Sequence, residues 1–169
     1  DTCGTAGDGA GTVNVSTATA LLCAELGISV VKHGNRSVSS RCGSADVLER
    51  VGVRIDADAA AARTCLDAAG IAFLFAPKFH AGVRHAMPVR RALRSRTMFN
   101  VLGPLINPAR PSHQLMGVYA PELCRPVAET LRELGTAAAF VVHGSGLDEV
   151  ATHGPTHVVR LQHGVIDEF

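Results

Sequence analysis

The chain has 169 residues, 47% hydrophobic and 18% charged, with a formal net charge of +1, a composition that suits a soluble globular domain with its own core. Near-neutrality, with Lys32 and Lys78 the two lysines among sixteen basic residues, excludes an overall electrostatic footprint for nucleic acid or an anionic membrane, so any anion site must be local. No apolar run approaches a membrane span, and the five cysteines are scattered without C-x-x-C spacing, which points to reduced thiols in a cytoplasm and to no zinc site.

In chain order the first feature is a glycine-rich loop, Cys3 to Thr12, with four glycines within eight residues. Such a backbone can approach a ligand closely, and Asn14, Ser16 and Thr17 stand where a helix begins. The pattern predicts a helix over Thr17 to Leu26 closed by Gly27, then a short strand, Ile28 to Val31, delivering Lys32 at its carboxyl end. Ser44 is placed to cap a helix through Val51, and Asp58 a second, alanine-rich helix ending at Gly70. A buried strand follows at Ile71 to Phe75. From Pro77 to Met98 the pattern is helical but interrupted at Pro88, which favours two short helices. Leu102 to Pro108 reads as turn-rich, Leu115 to Tyr119 as a strand, Pro121 to Leu134 as a helix with Gly135 after it, and Ala138 to Val142 as another strand. A hairpin from Thr156 past Gly164 finishes the chain. The alternation predicts an α/β fold, a mainly parallel sheet flanked by helices, in one domain over residues 1–169. Both ends read as abrupt, with no strand before the glycine loop and none completed before Phe169, and a fragment is expected.

Three clusters carry chemistry. The glycine loop leads into a helix start and is followed by Lys32, Arg36 and serines, a set that provides N–H groups, charge and hydroxyls for a phosphate or pyrophosphate. Asp148 and Glu149, after a strand and a glycine-rich turn, are hard oxygen ligands suited to Mg²⁺ beside substrate phosphates, although a solvated turn would use the same pair. Between them lies a basic segment, Phe79 to Arg96. One inward-facing arginine there could hold a carboxylate with two parallel hydrogen bonds, the others forming a solvated face.

Together, Gly4-Thr-Ala-Gly-Asp-Gly9, Asn14-Val-Ser-Thr17, Lys32-His-Gly-Asn-Arg-Ser-Val-Ser-Ser40, Gly43-Ser-Ala-Asp-Val-Leu-Glu49, Asn100 to Pro108 and His143 to Glu149 resemble the anthranilate phosphoribosyltransferase family over essentially the whole chain. The resemblance implies transfer of a phosphoribosyl group from phosphoribosyl pyrophosphate to anthranilate with Mg²⁺, in tryptophan biosynthesis. It implies the central part of the large domain of the nucleoside phosphorylase/phosphoribosyltransferase fold. It places Gly4, Gly7, Asp8, Thr12, Asn14, Val15, Ser16, Thr17, Lys32, His33, Gly34, Asn35, Arg36, Ser37, Val38, Ser39, Ser40 and Ser44 around phosphoribosyl pyrophosphate. Gly4, His33, Asn35 and Arg90 would face anthranilate, Arg90 at its carboxylate, and Ser16, Asp148 and Glu149 would hold magnesium. No obligatory catalytic base is implied.

Two departures matter. Ala6 replaces a glycine of the family's phosphate loop, and would be strained if that position needs positive φ. Family members also extend beyond both ends, so most of the helical domain, with its homodimer contacts, and the distal α/β segment are expected to be missing. Other readings are a pyrimidine nucleoside phosphorylase, disfavoured by Lys32-His-Gly-Asn-Arg36, an inactive remnant, and a non-catalytic nucleic-acid-binding relative. Near-neutral charge and only six Phe, one Tyr and no Trp for stacking stand against the last.

Overall fold

The computed structural model describes residues 1–5, 11, 13–37, 42–86, 92 and 97–169. Its elements are β1 (Thr2–Gly4), α1 (Val15–Glu25), β2 (Val30–Gly34), α2 (Ser44–Arg50), α3 (Ala59–Ala69), β3 (Ile71–Phe75), α4 (Ala76–Phe79) and a 3₁₀ helix (Ala81–Ala86). They continue with α5 (Met98–Leu105), β4 (His113–Gly117), a 3₁₀ turn (Pro121–Leu123), α6 (Cys124–Glu133), β5 (Ala138–Gly144), β6 (Thr156–Gln162) and β7 (Val165–Glu168).

Local chemistry accounts for most boundaries. Helices α1, α2 and α6 end in the same motif: Gly27, Gly52 and Gly135 take positive φ, and the next residue's N–H bonds back to Cys23, Leu48 and Leu131. Asp58 caps α3, accepting from the Ala61 N–H at 2.8 Å, and Gly70 closes it. Ser44 does not cap α2; Gly43 holds that position and Asp46 reaches back to its N–H at 2.8 Å.

The strands form two sheets, one of five in the order β1-β4-β5-β6-β7 and one of two, β2-β3. Pairs β1-β4, β4-β5 and β2-β3 are parallel, whereas β5-β6 and β6-β7 are antiparallel. The fold is therefore α/β with a mostly parallel arrangement. α6 presents Cys124, Val127, Ala128 and Leu131, spaced for one helical face, to Met116, Val141, Val159 and Leu161 of the larger sheet. The smaller sheet has a core on each side. Phe73 and Phe75 pack with Ala45 and Leu48 of α2, and Ala72 and Leu74 pack with Ala62 of α3 and Phe79 of α4.

Several expectations are corrected. A strand does anchor the glycine loop: β1, which runs into its first residues, pairs Thr2 with Leu115, and β7 likewise completes a pair before Phe169. β2 begins at Val30, because Ile28 belongs to the end of α1, so Lys32 lies within the strand and not after it. The stretch predicted as turn-rich is mostly helical. α5 contains Pro104 in its last turn, and Asn100 starts it by accepting from the Thr97 N–H at 3.0 Å.

Candidate active site

Successive side chains of a strand point to opposite faces, so β2 delivers Lys32 to one side and His33 to the other. Lys32 is 3% exposed and its Nζ donates to the Thr2 carbonyl at 2.7 Å and to Ser16 Oγ at 3.2 Å. It thus ties the smaller sheet to β1 and to the first turn of α1. Burial pushes the ammonium below its ordinary range, while Cys3 and Glu149 act in the opposite sense.

The acidic pair comes from the larger sheet. After β5, Ser145 and Gly146 make a tight turn at positive φ, and Gly144 and Leu147 exchange backbone hydrogen bonds of 3.0 and 2.9 Å. His143 braces this turn: its Nδ1 donates to the Val118 carbonyl at 2.8 Å, and its Nε2 accepts from the Gly146 N–H at 3.3 Å. The chain then crosses the carboxyl ends of β1 and β4. A Cβ on Gly117 would run into the Asp148 carbonyl, and one on Gly4 would lie 2.5 Å from Asp148 Oδ2. Glycine at both strand ends is what allows a buried carboxylate to sit there.

On the other face, His33 Nδ1 donates to the Gly103 carbonyl of α5 at 3.2 Å, and the ring meets His80 edge to face, with centroids 5.0 Å apart. Nε2 of each ring is buried without a protein partner among the described residues. Burial first, and then the proximity of His80, lower the His33 pKa to about 4, so the imidazole is neutral at pH 7 and its Nε2 is an acceptor.

The acidic turn lies against Gly4 and Gly117 at the carboxyl ends of the parallel strands β1 and β4, the usual ligand edge of an α/β sheet. A family model described as the a/b domain of a glycosyl transferase family matches residues 1–169. The chain belongs to this glycosyl transferase family. It is 64% identical over 169 residues to the anthranilate phosphoribosyltransferase of Aeromonas hydrophila, covering 100% of this chain and 49% of that relative. The solved anthranilate phosphoribosyltransferase from Thermus thermophilus superposes with a TM-score of 0.92 at 46% identity, covering 100% of this chain and 50% of that one. The Saccharomyces cerevisiae enzyme in complex with PRPP and Mg gives 0.85 at 32%, covering 100% and 47%. The chain spans about half the length of the curated relatives it matches.

Within this glycosyl transferase domain the structure joins Lys32 to Ser16 and sets Asp148 beside Gly4, with Glu149 within electrostatic reach of Lys32. Asn14 does not cap α1, and its Nδ2 donates to the Cys42 carbonyl at 3.3 Å. Asn35 accepts from the Arg36 N–H through Oδ1 and from Ser44 Oγ through its carbonyl. Val15 and Thr17 lie in the first turn of α1, and Gly34 ends β2. Arg36 turns to α2 and pairs with Asp46 and Glu49. Gly7, Asp8, Thr12, Val38, Ser39, Ser40 and Arg90, and also Ala6, lie outside the described residues. His80 is the member that sequence reading passed over, since nothing local marks it and its neighbour His33 is 47 positions away.

The three side chains that the resemblance assigns to magnesium, Ser16, Asp148 and Glu149, all offer oxygen, and no group of three or more His, Cys, Asp or Glu is assembled among the described residues. That suits an ion that keeps several waters and shares substrate oxygens, as Mg²⁺ does, better than a closed protein cage. The described residues contain no helix long and apolar enough to cross a membrane.

Proposed function

We propose that the chain carries the transfer site of an anthranilate phosphoribosyltransferase, which moves the 5-phosphoribosyl group of phosphoribosyl pyrophosphate to the amine of anthranilate and releases pyrophosphate. The observation that carries this reading is the buried Lys32 held on Ser16 Oγ, with Glu149 within electrostatic reach of it and Asp148 beside Gly4 at the end of β1. It supplies a cation, a hydroxyl and hard carboxylates, the groups that a magnesium-bound phosphate ester requires. The names of the relatives agree, as do the yeast structures in complex with PRPP and Mg and with 4-fluoroanthranilate.

On this reading Ser16, Asp148 and Glu149 hold Mg²⁺, which when bound neutralises the departing pyrophosphate. Asn14, Lys32, Asn35, Ser37 and Ser44 face phosphoribosyl pyrophosphate, with Gly7, Asp8, Thr12 and the serines after Ser37 completing the set. Arg90 takes the anthranilate carboxylate. Neutral His33 offers Nε2 as an acceptor to the amine and orients it, and His80 lines the same side. Aryl amines are weak bases and need little deprotonation before attack, so positioning and charge stabilisation supply the rate without an obligatory base.

Anthranilate fluorescence, followed with the chain, phosphoribosyl pyrophosphate and Mg²⁺, tests the proposal, alongside calorimetric binding of Mg-phosphoribosyl pyrophosphate. Turnover is expected to depend on Mg²⁺ and to fall by about 100-fold or more in Asp148→Ala. Lys32→Ala is expected to weaken phosphoribosyl pyrophosphate by tenfold or more, roughly the loss of one charge-assisted contact. A chain that binds neither substrate overturns the reading.

A further inference from the structure

Arg36 stands in the stretch proposed to meet pyrophosphate, yet its guanidinium is already committed. Nη1 and Nη2 grip the two carboxylate oxygens of Glu49 at 2.7 and 2.9 Å, Nη1 also meets Asp46 Oδ1 at 3.1 Å, and the Phe75 ring centroid lies 5.9 Å away. Two carboxylates surround one cation, so the cluster carries a net negative charge and is a poor recruiter of phosphate. Nor does it act mainly as a stability device, because the pairing groups are about half exposed, Arg36 at 46% and Glu49 at 52%, and such pairs contribute little.

What the cluster does is geometric. Asp46 Oδ2 accepts from the Ser37 N–H at 2.9 Å and from the Gly43 N–H at 2.8 Å, joining two points six residues apart on one oxygen atom. Its other oxygen takes Arg36. A Cβ on Gly43 would collide with the backbone of Asn35, Arg36 and Ser37, so the two arms of the segment touch directly. The Ser44 hydroxyl adds a bond to the Asn35 carbonyl at 3.3 Å.

We infer that Arg36, Asp46 and Glu49 are positioning residues that set Asn35, Ser37 and Ser44 for pyrophosphate, and that Arg36 is not itself a phosphate ligand. The inference rests on the pyrophosphate reading above. Holding Asn35 and Ser37 against Gly43 and Ser44 before the ligand arrives lowers the entropic cost of binding. Glu49 acts through Arg36, and Arg36 through Asp46, so the three form one unit.

The test is pyrophosphate affinity, measured by calorimetry with Mg²⁺, in Arg36→Gln, Glu49→Gln and the double variant. The clamp predicts that both single variants weaken pyrophosphate by about tenfold and that the double variant is no worse than either. If Arg36 were a phosphate ligand, Glu49→Gln would free it and leave affinity unchanged or improved, which overturns the inference. Amide hydrogen exchange gives a ligand-independent arm: Asp46→Asn is expected to speed exchange at Ser37 and Gly43, and unchanged exchange there overturns the clamp alone. Failure of the unaltered chain to bind pyrophosphate overturns the underlying reading, and the inference with it.

Discussion

The two sheets divide the work of the molecule unequally. The five-stranded sheet and α6 make one continuous core in which Met116, Val118, Cys124, Ala128, Val141, Val159 and Leu161 are fully buried. The two-stranded sheet divides its apolar contacts between two small clusters, and around it Leu21, Leu22 and Leu26 of α1 and Val51 and Val53 after α2 stay exposed. Yet the smaller sheet carries the buried cation and the neutral imidazole. The larger sheet supplies the carboxylates, on a turn beyond β5. Lys32 and Glu149 thus come within electrostatic reach of each other from two differently packed halves, with the continuous core of the larger sheet as the better-packed frame.

The largest expected effect follows from that asymmetry. Leu131 is 2% exposed within the continuous core, and Leu74 is 5% exposed within a three-residue cluster. Leu131→Ala is expected to cost about 3–4 kcal/mol, because the frame around it cannot collapse into the vacated space. Leu74→Ala is expected to cost about 1 kcal/mol less, since a small cluster beside exposed groups relaxes further. Urea denaturation of both variants measures the difference, and equal costs would erase the distinction between the halves.

A second contrast is in pH. His33 has its pKa lowered from 6.5 to about 4 by burial and by His80, and it is 7% exposed. The unfolded chain therefore binds the proton more readily than the folded one. The stability linked to this group is complete above about pH 6.5, falls as the pH drops toward 4, and changes little below that, a total of about 3 kcal/mol as an upper bound. His33→Gln should remove this component. Stabilities of the chain and the variant at pH 7, 5.5 and 4.5 should converge toward acid by most of that amount, and parallel profiles would show that the smaller half carries no such penalty.

How much of this was legible in the sequence depended on how local the cause was. Helix ends at Gly27, Gly52, Gly70 and Gly135 and the Asp58 cap are written within five residues of where they act, and the sequence reading placed them closely. β1 was not legible, because three residues carry no periodicity and its partner strand lies over a hundred positions away. α5 was hidden by Pro104 and Asn107. Asn107 in fact bridges the Val31 carbonyl and Asp1, while Gln114 holds the Pro104 carbonyl, and neither tie is visible in the turn-like composition. For the candidate site, residue types marked Lys32, Ser16 and Asp148 as groups suited to phosphate and magnesium. What they did not reveal was direction. Arg36 reads as a phosphate ligand by type and turns instead to Asp46 and Glu49, and His80 gained meaning only when folding set it against His33.

The smallest effect tests whether local signals in the less packed half carry weight of their own. Asp58 accepts from the Ala61 N–H and starts α3, which contributes Ala62 to the core beneath Ala72 and Leu74. Removing the cap in Asp58→Ala leaves one helix-end donor unpaired and is expected to cost about 1 kcal/mol in thermal or urea unfolding. Asp58→Asn keeps an acceptor oxygen and should recover most of it. Because α3 covers the face of the smaller sheet that carries His33, a fraying first turn should also raise amide exchange along α3 while leaving α6 unaffected. An equal rise in both helices would mean that the two halves unfold as one unit, and that the frame is no more fixed than what it holds.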